Sequence, residues 1–378
     1  MFLDVSLLRS DPTAWMRWPR NEHYCLQFLR VLGASQDGGS TITECCQTAN
    51  RITPGDDESW HREWKMIADI NKERGDLALA DGNICTAQNN WLRAANYYRA
   101  AAAFLGDDDL RHPTLADNLR SCSHHYLAQL QPAGEIVRIP YREDGYVPGY
   151  FLRAPSSGAR TPVVICFGGP ASCKEEHLST MPRHALARGL SLLLVDLPGQ
   201  GAIPQKRNIG RHDIEISISH CVDYLIARGD VDAQRIAIYG DGLGAAFASR
   251  AAALDHRFAA AVCDGGIWDL RERAFLLGWL SDDGEADDVR AQLRKLSRFG
   301  IARRIRCPML VALSEQDPAH AGETAELIDI YRDAGLDIRV RSFTGHEGAA
   351  LPGQSVNPAI DNDFIYDWIA ARLANRPA

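Results

Sequence analysis

The chain has 378 residues, 46% of them hydrophobic and 24% charged, the composition of an ordinary globular protein with room for a large domain and an accessory one. A formal net charge of −8 argues against nucleic acid or an anionic membrane as partner, because both select basic surfaces. No apolar run nears the roughly 20 residues of a bilayer span, and the N-terminus has no secretory leader pattern.

Residues 1–133 read as an all-helical domain. Apolar residues recur at helical spacing over 22–32, 60–80, 90–104 and 114–130. Trp60, Trp64, Ile67, Ala68 and Ile70 fall near one face, and Trp91, Ala94, Ala95 and Tyr98 follow i, i+3, i+4, i+7. These aromatics are expected in a core. No second copy recurs at a fixed period, which argues against a repeat array.

From Gly134 short strands alternate with helices, so residues 134–378 form a second, α/β domain with a mostly parallel sheet. Segments 136–141 and 146–154 read as an antiparallel pair. Strands follow at 162–167, 190–197, 236–239, 258–263, 309–313 and 338–343, with helices expected at 178–188, 212–228, 320–334 and 358–373. Residues 268–304 read as helical with an acidic interruption at 282–288, and Trp268 opens this stretch as a candidate substrate-binding residue. The ten cysteines lack metal-ligand spacing, so buried free thiols in a cytoplasmic protein, with no metal and no cofactor, are expected.

The most informative stretch is Ile236 to Ala253, where a β-branched run meets Gly-Asp-Gly-Leu-Gly and then an alanine-rich helix. This is the strand-turn-helix of a nucleophile elbow, Gly-x-Ser-x-Gly in its usual form, and it needs small residues on both sides of its strained centre. With Gly240 and Gly244 as the flanks, Gly242 stands at the centre, and glycine has no atom that can attack a carbonyl. Placing Asp241 at the centre would put Tyr239 and Leu243 where side chains clash. Asp241, one residue before the centre, usually points away from the substrate in this geometry; it remains a candidate substrate-binding residue.

Asp317 follows one strand, and His346 lies in the loop after the next, between Gly345 and Gly348. Nucleophile position, acid and histidine thus occur in α/β-hydrolase order. A carboxylate bound to imidazole fixes its tautomer and raises its basicity, so the pair can move a proton without a serine. Backbone N–H groups of Gly169 or Ala171 and of Leu243 are candidate oxyanion donors; Pro170 has none to give. Glu175 and Glu176 are candidate catalytic carboxylates, with a helix start as their alternative role. Asp264 is a weaker candidate acid, and Cys173 lacks a basic partner.

With these residues in place, the chain resembles the α/β-hydrolase branch that contains 2,6-dihydroxypseudooxynicotine hydrolase and pigment-pathway polyketide-shortening hydrolases. The resemblance rests on Trp60, Gly75, Arg93-Ala-Ala-Asn-Tyr-Tyr98, Gly168-Gly169, Lys174-Glu-Glu176, Asp196-Leu-Pro-Gly-Gln-Gly201, Asp223-Tyr-Leu, Val231-Asp232, Arg235-Ile236 and the elbow. It implies an α/β-hydrolase fold whose helical N-terminal domain covers the site and often dimerises. It also implies C–C bond hydrolysis beside a ketone, Asp317 and His346 as acid and base, and a carboxylate at Glu175 or Glu176. The family's serine falls at Gly242, where the pattern fails. The expectation is non-covalent acid/base chemistry on a small carbonyl compound, an aryl ketone or polyketide-like molecule. Two alternatives stand beside it: a serine hydrolase inactivated by Ser-to-Gly at 242, and a non-catalytic small-molecule binder.

Overall fold

The computed structural model describes residues 18, 21–141, 145–155, 160–169, 172–201, 214–266, 303–314, 328–344 and 358–374. Ala171, Trp268, Asp317, His346 and most of the 268–304 segment lie outside the described residues.

Five helices come first: α1 (Glu22–Gly33), α2 (Ile42–Arg51), α3 (Asp57–Ala80), α4 (Ile84–Ala102) and α5 (His112–Ala128). Side-chain caps explain several starts. Asn21 accepts from the Tyr24 N–H at 3.0 Å, Thr41 from Glu44, and Asp56 from Glu58 and Ser59. The aromatics are core, as their spacing predicts: Trp60, Trp64, Trp91, Tyr97 and Tyr98 are buried in one cluster. Two of their polar atoms are satisfied internally, Trp60 Nε1 donating to the Ala100 carbonyl at 2.8 Å and the Tyr98 hydroxyl to Asp69 at 2.6 Å. Gly75 has a packing reason, since a Cβ there would stand 2.6 Å from the Trp91 ring.

The strands are β1 (Glu135–Tyr141), β2 (Gly145–Leu152), β3 (Thr161–Phe167), β4 (Ser191–Val195), β5 (Val231–Asp241), β6 (Ala260–Asp264), β7 (Met309–Ser314) and β8 (Ile338–Phe343). They form one sheet in the order β1-β2-β4-β3-β5-β6-β7-β8. The β1–β2 and β2–β4 pairs are antiparallel and the others parallel. The near-continuous apolar runs of β3 and β4 follow from burial on both faces. On one face lie α8 (Ile214–Ile226) and α9 (Gly244–Leu254). On the other lie α7 (Pro182–Leu186) and α10 (Pro358–Ala374), where Leu92 and Leu127 of the N-terminal helices join the same core. This is the α/β-hydrolase fold with a helical N-terminal region.

The helix expected at 178–188 is shorter and starts later: α7 begins only at Pro182, and a separate short helix, α6 (Lys174–Leu178), ends where it was expected to start. Proline has no N–H to continue the ladder and suits a first turn. After β3 the chain leaves to β4 on one side and returns to β5 on the other. That reversal opens a crevice beyond the strands' carboxyl ends.

Candidate active site

Three strand ends meet at the crevice. Register pairs Phe167 of β3 with Gly240 of β5, and Asp241 of β5 with Asp264 of β6. The turn after β5 is held by glycines for steric reasons. A Cβ on Gly240 would overlap the Gly244 carbonyl, and one on Gly244 would lie 2.7 Å from the Gly168 oxygen. Gly242 has φ +56°, donates its N–H to the Asp264 carbonyl at 2.8 Å, and has none of the described residues within 4 Å of where a Cβ would stand. Gly242 therefore sits at the centre of the turn, facing a cavity of about 230 Å³.

Gly169 packs against the start of α9. A Cβ on it would stand 3.5 Å from the Leu243 nitrogen, so these two backbones meet at the mouth of the turn. Leu243 is the N-cap residue of α9, in the turn where helix N–H groups lack intrahelical acceptors. Both residues line the cavity. Gln200 ties the glycine turn down, donating from Nε2 to the Gly168 carbonyl at 2.6 Å while Oε1 accepts from the Leu197 N–H at 2.9 Å.

The structure separates the two glutamates. Glu175 is 3% exposed and does not line the cavity among the described residues. It accepts from the Tyr150 hydroxyl at 2.7 Å and pairs with Lys174 at 2.8 Å. Lys174 also binds Asp196 through Nζ and backbone N–H, each at 2.7 Å, which anchors α6 to the end of β4. Burial opposes ionisation of Glu175, but Lys174 and the Tyr150 hydroxyl outweigh it and hold the carboxyl low. This geometry gives Glu175 a place in a buried scaffold, not at the substrate.

Glu176 faces the cavity. Arg30 of α1 reaches it at 2.5 Å, and Arg99 of α4 lies 3.5 Å away. Burial opposes its ionisation, and the two guanidinium groups overcome that to hold it at about 2. A carboxylate so weakly basic is a poor general base at neutral pH; its field and position are what it offers.

The Asp241–Asp264 pair is pushed the other way. Burial lifts Asp241 above the usual carboxylate range, with Glu176 adding and His177 and Arg30 opposing. Burial and the charges of Asp241 and Asp361 lift Asp264 well above it, although the Tyr239 hydroxyl donates to Asp264 Oδ2. Two neighbouring buried carboxylates each make the other's ionisation costlier, so the pair holds a proton to higher pH than an isolated carboxylate would. Cys173 is buried, and burial with nearby carboxylates lifts its thiol well above the ordinary value, which leaves it a poor nucleophile.

Arg30, Arg99, His177, Tyr239 and Asp361 are residues of this neighbourhood that sequence reasoning did not single out. Among the described residues no cluster of His, Cys, Asp and Glu could hold a metal, and no helix is long and apolar enough to cross a membrane.

Residues 51–270 match the family described as Esterase FrsA-like, and residues 205–376 the Prolyl oligopeptidase family. Among curated relatives, Hydrolyase poxO of Penicillium oxalicum is 32% identical over 67% of this chain and 63% of its own. Hydrolase acrC of Aspergillus aculeatus is 33% identical over 69% and 67%. The 20-hydroxy-prefusarin hydrolase FUS2 of Gibberella moniliformis is 33% identical over 69% and 66%. The chain thus spans about two thirds of these relatives' length, and slightly less for poxO. A 2,6-dihydroxy-pseudo-oxynicotine hydrolase structure superposes with TM-score 0.72 at 21% identity, covering 90% of this chain and 95% of its own. AbyA5 follows at 0.59 and 17%, covering 88% and 94%. At such identities these structures speak to the fold.

Proposed function

The chain belongs to the FrsA-like family of α/β-hydrolases, and on that premise we propose a serine-free enzyme that performs acid/base chemistry on a small carbonyl compound. The carrying observation is Gly242, with its left-handed backbone at the elbow centre and space above it that none of the described residues fills. The substrate carbonyl oxygen accepts hydrogen bonds from the N–H groups of Leu243 and of Gly169 or Ala171. His346, oriented by Asp317, takes a proton from the carbon beside the carbonyl or from an attacking water. Charge then develops on the held oxygen, where preorganised donors act most strongly. The protonated member of the Asp241–Asp264 pair is a proton source for the departing fragment. Suitable reactions are C–C cleavage, elimination, cyclisation or isomerisation of an aryl-ketone or polyketide-like substrate, with Trp268 and the 268–304 segment shaping its pocket. The hydrolase names of the relatives support the cleavage reading.

The test is turnover of 1-phenylbutane-1,3-dione and a panel of aryl ketones, with deuterium exchange at the carbon beside the carbonyl as a second readout. His346→Ala should lower the rate by about 10²–10⁴-fold, the contribution of a positioned base. Gly242→Ala should keep most activity. If any turnover requires Gly242→Ser, the proposal is wrong.

That outcome would favour the second reading, a serine hydrolase inactivated at 242, which the space for a side chain at Gly242 supports. Labelling of Gly242→Ser by a fluorophosphonate would then report a restored nucleophile. A homodimer through the helical layer is part of the proposal, and light scattering of the purified protein reads it directly.

A further inference from the structure

His177, in α6, has no role in the chemistry proposed above, yet it is 2% exposed, lines the cavity, and its Nε2 has no hydrogen-bond partner among the described residues. Leaving a buried polar atom unpaired costs about 1–3 kcal/mol, and such atoms are rare in native proteins unless a ligand or water completes them. The backbone that carries the ring is firmly placed. Its helix is anchored by the Lys174–Asp196 bonds, and the His177 carbonyl accepts from the N–H groups of Thr180 and Met181 at 3.2 and 3.0 Å.

Its location is informative. Nε2 lies 3.1 Å from where a Cβ on Gly168 would stand, while Gly169 is the residue packed against the Leu243 nitrogen. Gly168 and Gly169 are adjacent in the chain, so the imidazole stands beside the residue that precedes one of the candidate donors. Glu176, also on the cavity, is held ionised by Arg30 and Arg99 and cannot donate to a carbonyl.

We propose that His177 is a substrate-contacting residue whose Nε2 hydrogen-bonds a second oxygen of the substrate, while the first occupies the Gly169–Leu243 donors. The inference rests on the assignment of those donors made above. A carbonyl at the second position accepts from Nε2–H, and a hydroxyl either accepts from it or donates to the bare nitrogen. The favoured compounds are therefore carbonyls with a second carbonyl or hydroxyl a few ångströms away.

The experiment uses the full chain with ¹⁵N-labelled histidine, the His177 imidazole signals being assigned by their loss in His177→Gln. Wild-type protein is titrated with 1-phenylbutane-1,3-dione, and separately with 1-phenylbutan-1-one, which keeps the skeleton and lacks the second oxygen. The diketone should move the Nε2 signal and the monoketone should not. His177→Gln should weaken diketone binding about tenfold, the loss expected for one compromised hydrogen bond, with monoketone binding unchanged. A His177 signal that neither compound moves up to its solubility limit, or that both move equally, overturns the proposal. Diketone binding that shifts His177 without turnover upholds this contact while refuting the proposed reaction, so the two failures are distinguishable.

Discussion

Glu176 and Asp264 face one cavity, yet their surroundings push them in opposite directions, and each shift predicts a pH dependence. Glu176 falls from an ordinary 4.5 to about 2 in the folded chain because Arg30 and Arg99 outweigh burial. A depressed acid contributes stability that is present above its unfolded value and lost as pH falls through its folded one. The window is thus about pH 4.5 to 2, and the contribution about 3 kcal/mol. Urea midpoints should drop across that window in the wild type and drop less in Glu176→Gln. At neutral pH the variant should be weaker by roughly 3 kcal/mol, since two guanidinium groups lose their shared carboxylate. Equal acid slopes in the two proteins would refute the ion-pair account. Asp264 has the reverse sign. Its folded form keeps a proton that the unfolded chain releases above 3.8, so it costs stability as pH rises. Asp264→Asn still accepts from Tyr239, so its melting temperature near pH 7 should equal or exceed the wild type's, with the advantage shrinking toward pH 4. A variant less stable at neutral pH would mean that Asp264 is ionised and paired.

The β5–turn–α9 element ties sequence to site through three glycines with separate reasons. Gly240 and Gly244 have no room for a Cβ, because backbone atoms of the turn and of β3's end stand there. Gly242 has the room but a backbone that L residues resist. Alanine at 240 or 244 should therefore disrupt the element, and alanine at 242 should cost only about 1–2 kcal/mol of conformational strain. Thermal melts of the three variants check this, and comparable losses at all three would contradict the assigned register. That register was legible because the Gly-x-Gly-x-Gly spacing is local, as were the apolar run of β3 and its closing glycine pair. Choosing between Glu175 and Glu176 was not possible, because α6 is five residues long and has no readable periodicity. The Arg30–Glu176 pair spans 146 positions, and only the docking of α1 against α6 brings it together. Arg99 arrives through a different helix, α4. Pro182, by contrast, was a visible signal for the α6–α7 break that helical spacing alone concealed.

At the scale of the molecule, the helical layer must stay seated on the sheet for Arg30 and Arg99 to reach Glu176. His184 of α7 is a second tether for that seating. It is 1% exposed, with Nε2 3.1 Å from Asp37 beside α1 and Nδ1 2.9 Å from Asp363 of α10. Arg183 adds a bond to Asp37 at 2.8 Å, so the aspartate keeps one partner if the imidazole is removed. His184→Leu should therefore cost about 1–3 kcal/mol, the range for compromising buried polar groups, without unfolding the chain. The loss should be regional. Hydrogen exchange should quicken in the 34–37 turn and the first turns of α10 while β3, β4 and β5 stay protected. If the proposed site is correct, apparent KM for 1-phenylbutane-1,3-dione should rise more than kcat falls, because loosening the layer withdraws Arg30 from the cavity wall without touching the reacting groups. Uniform acceleration of exchange across helices and sheet would instead make His184 a general stability residue, and the helical layer and the sheet a single cooperative unit.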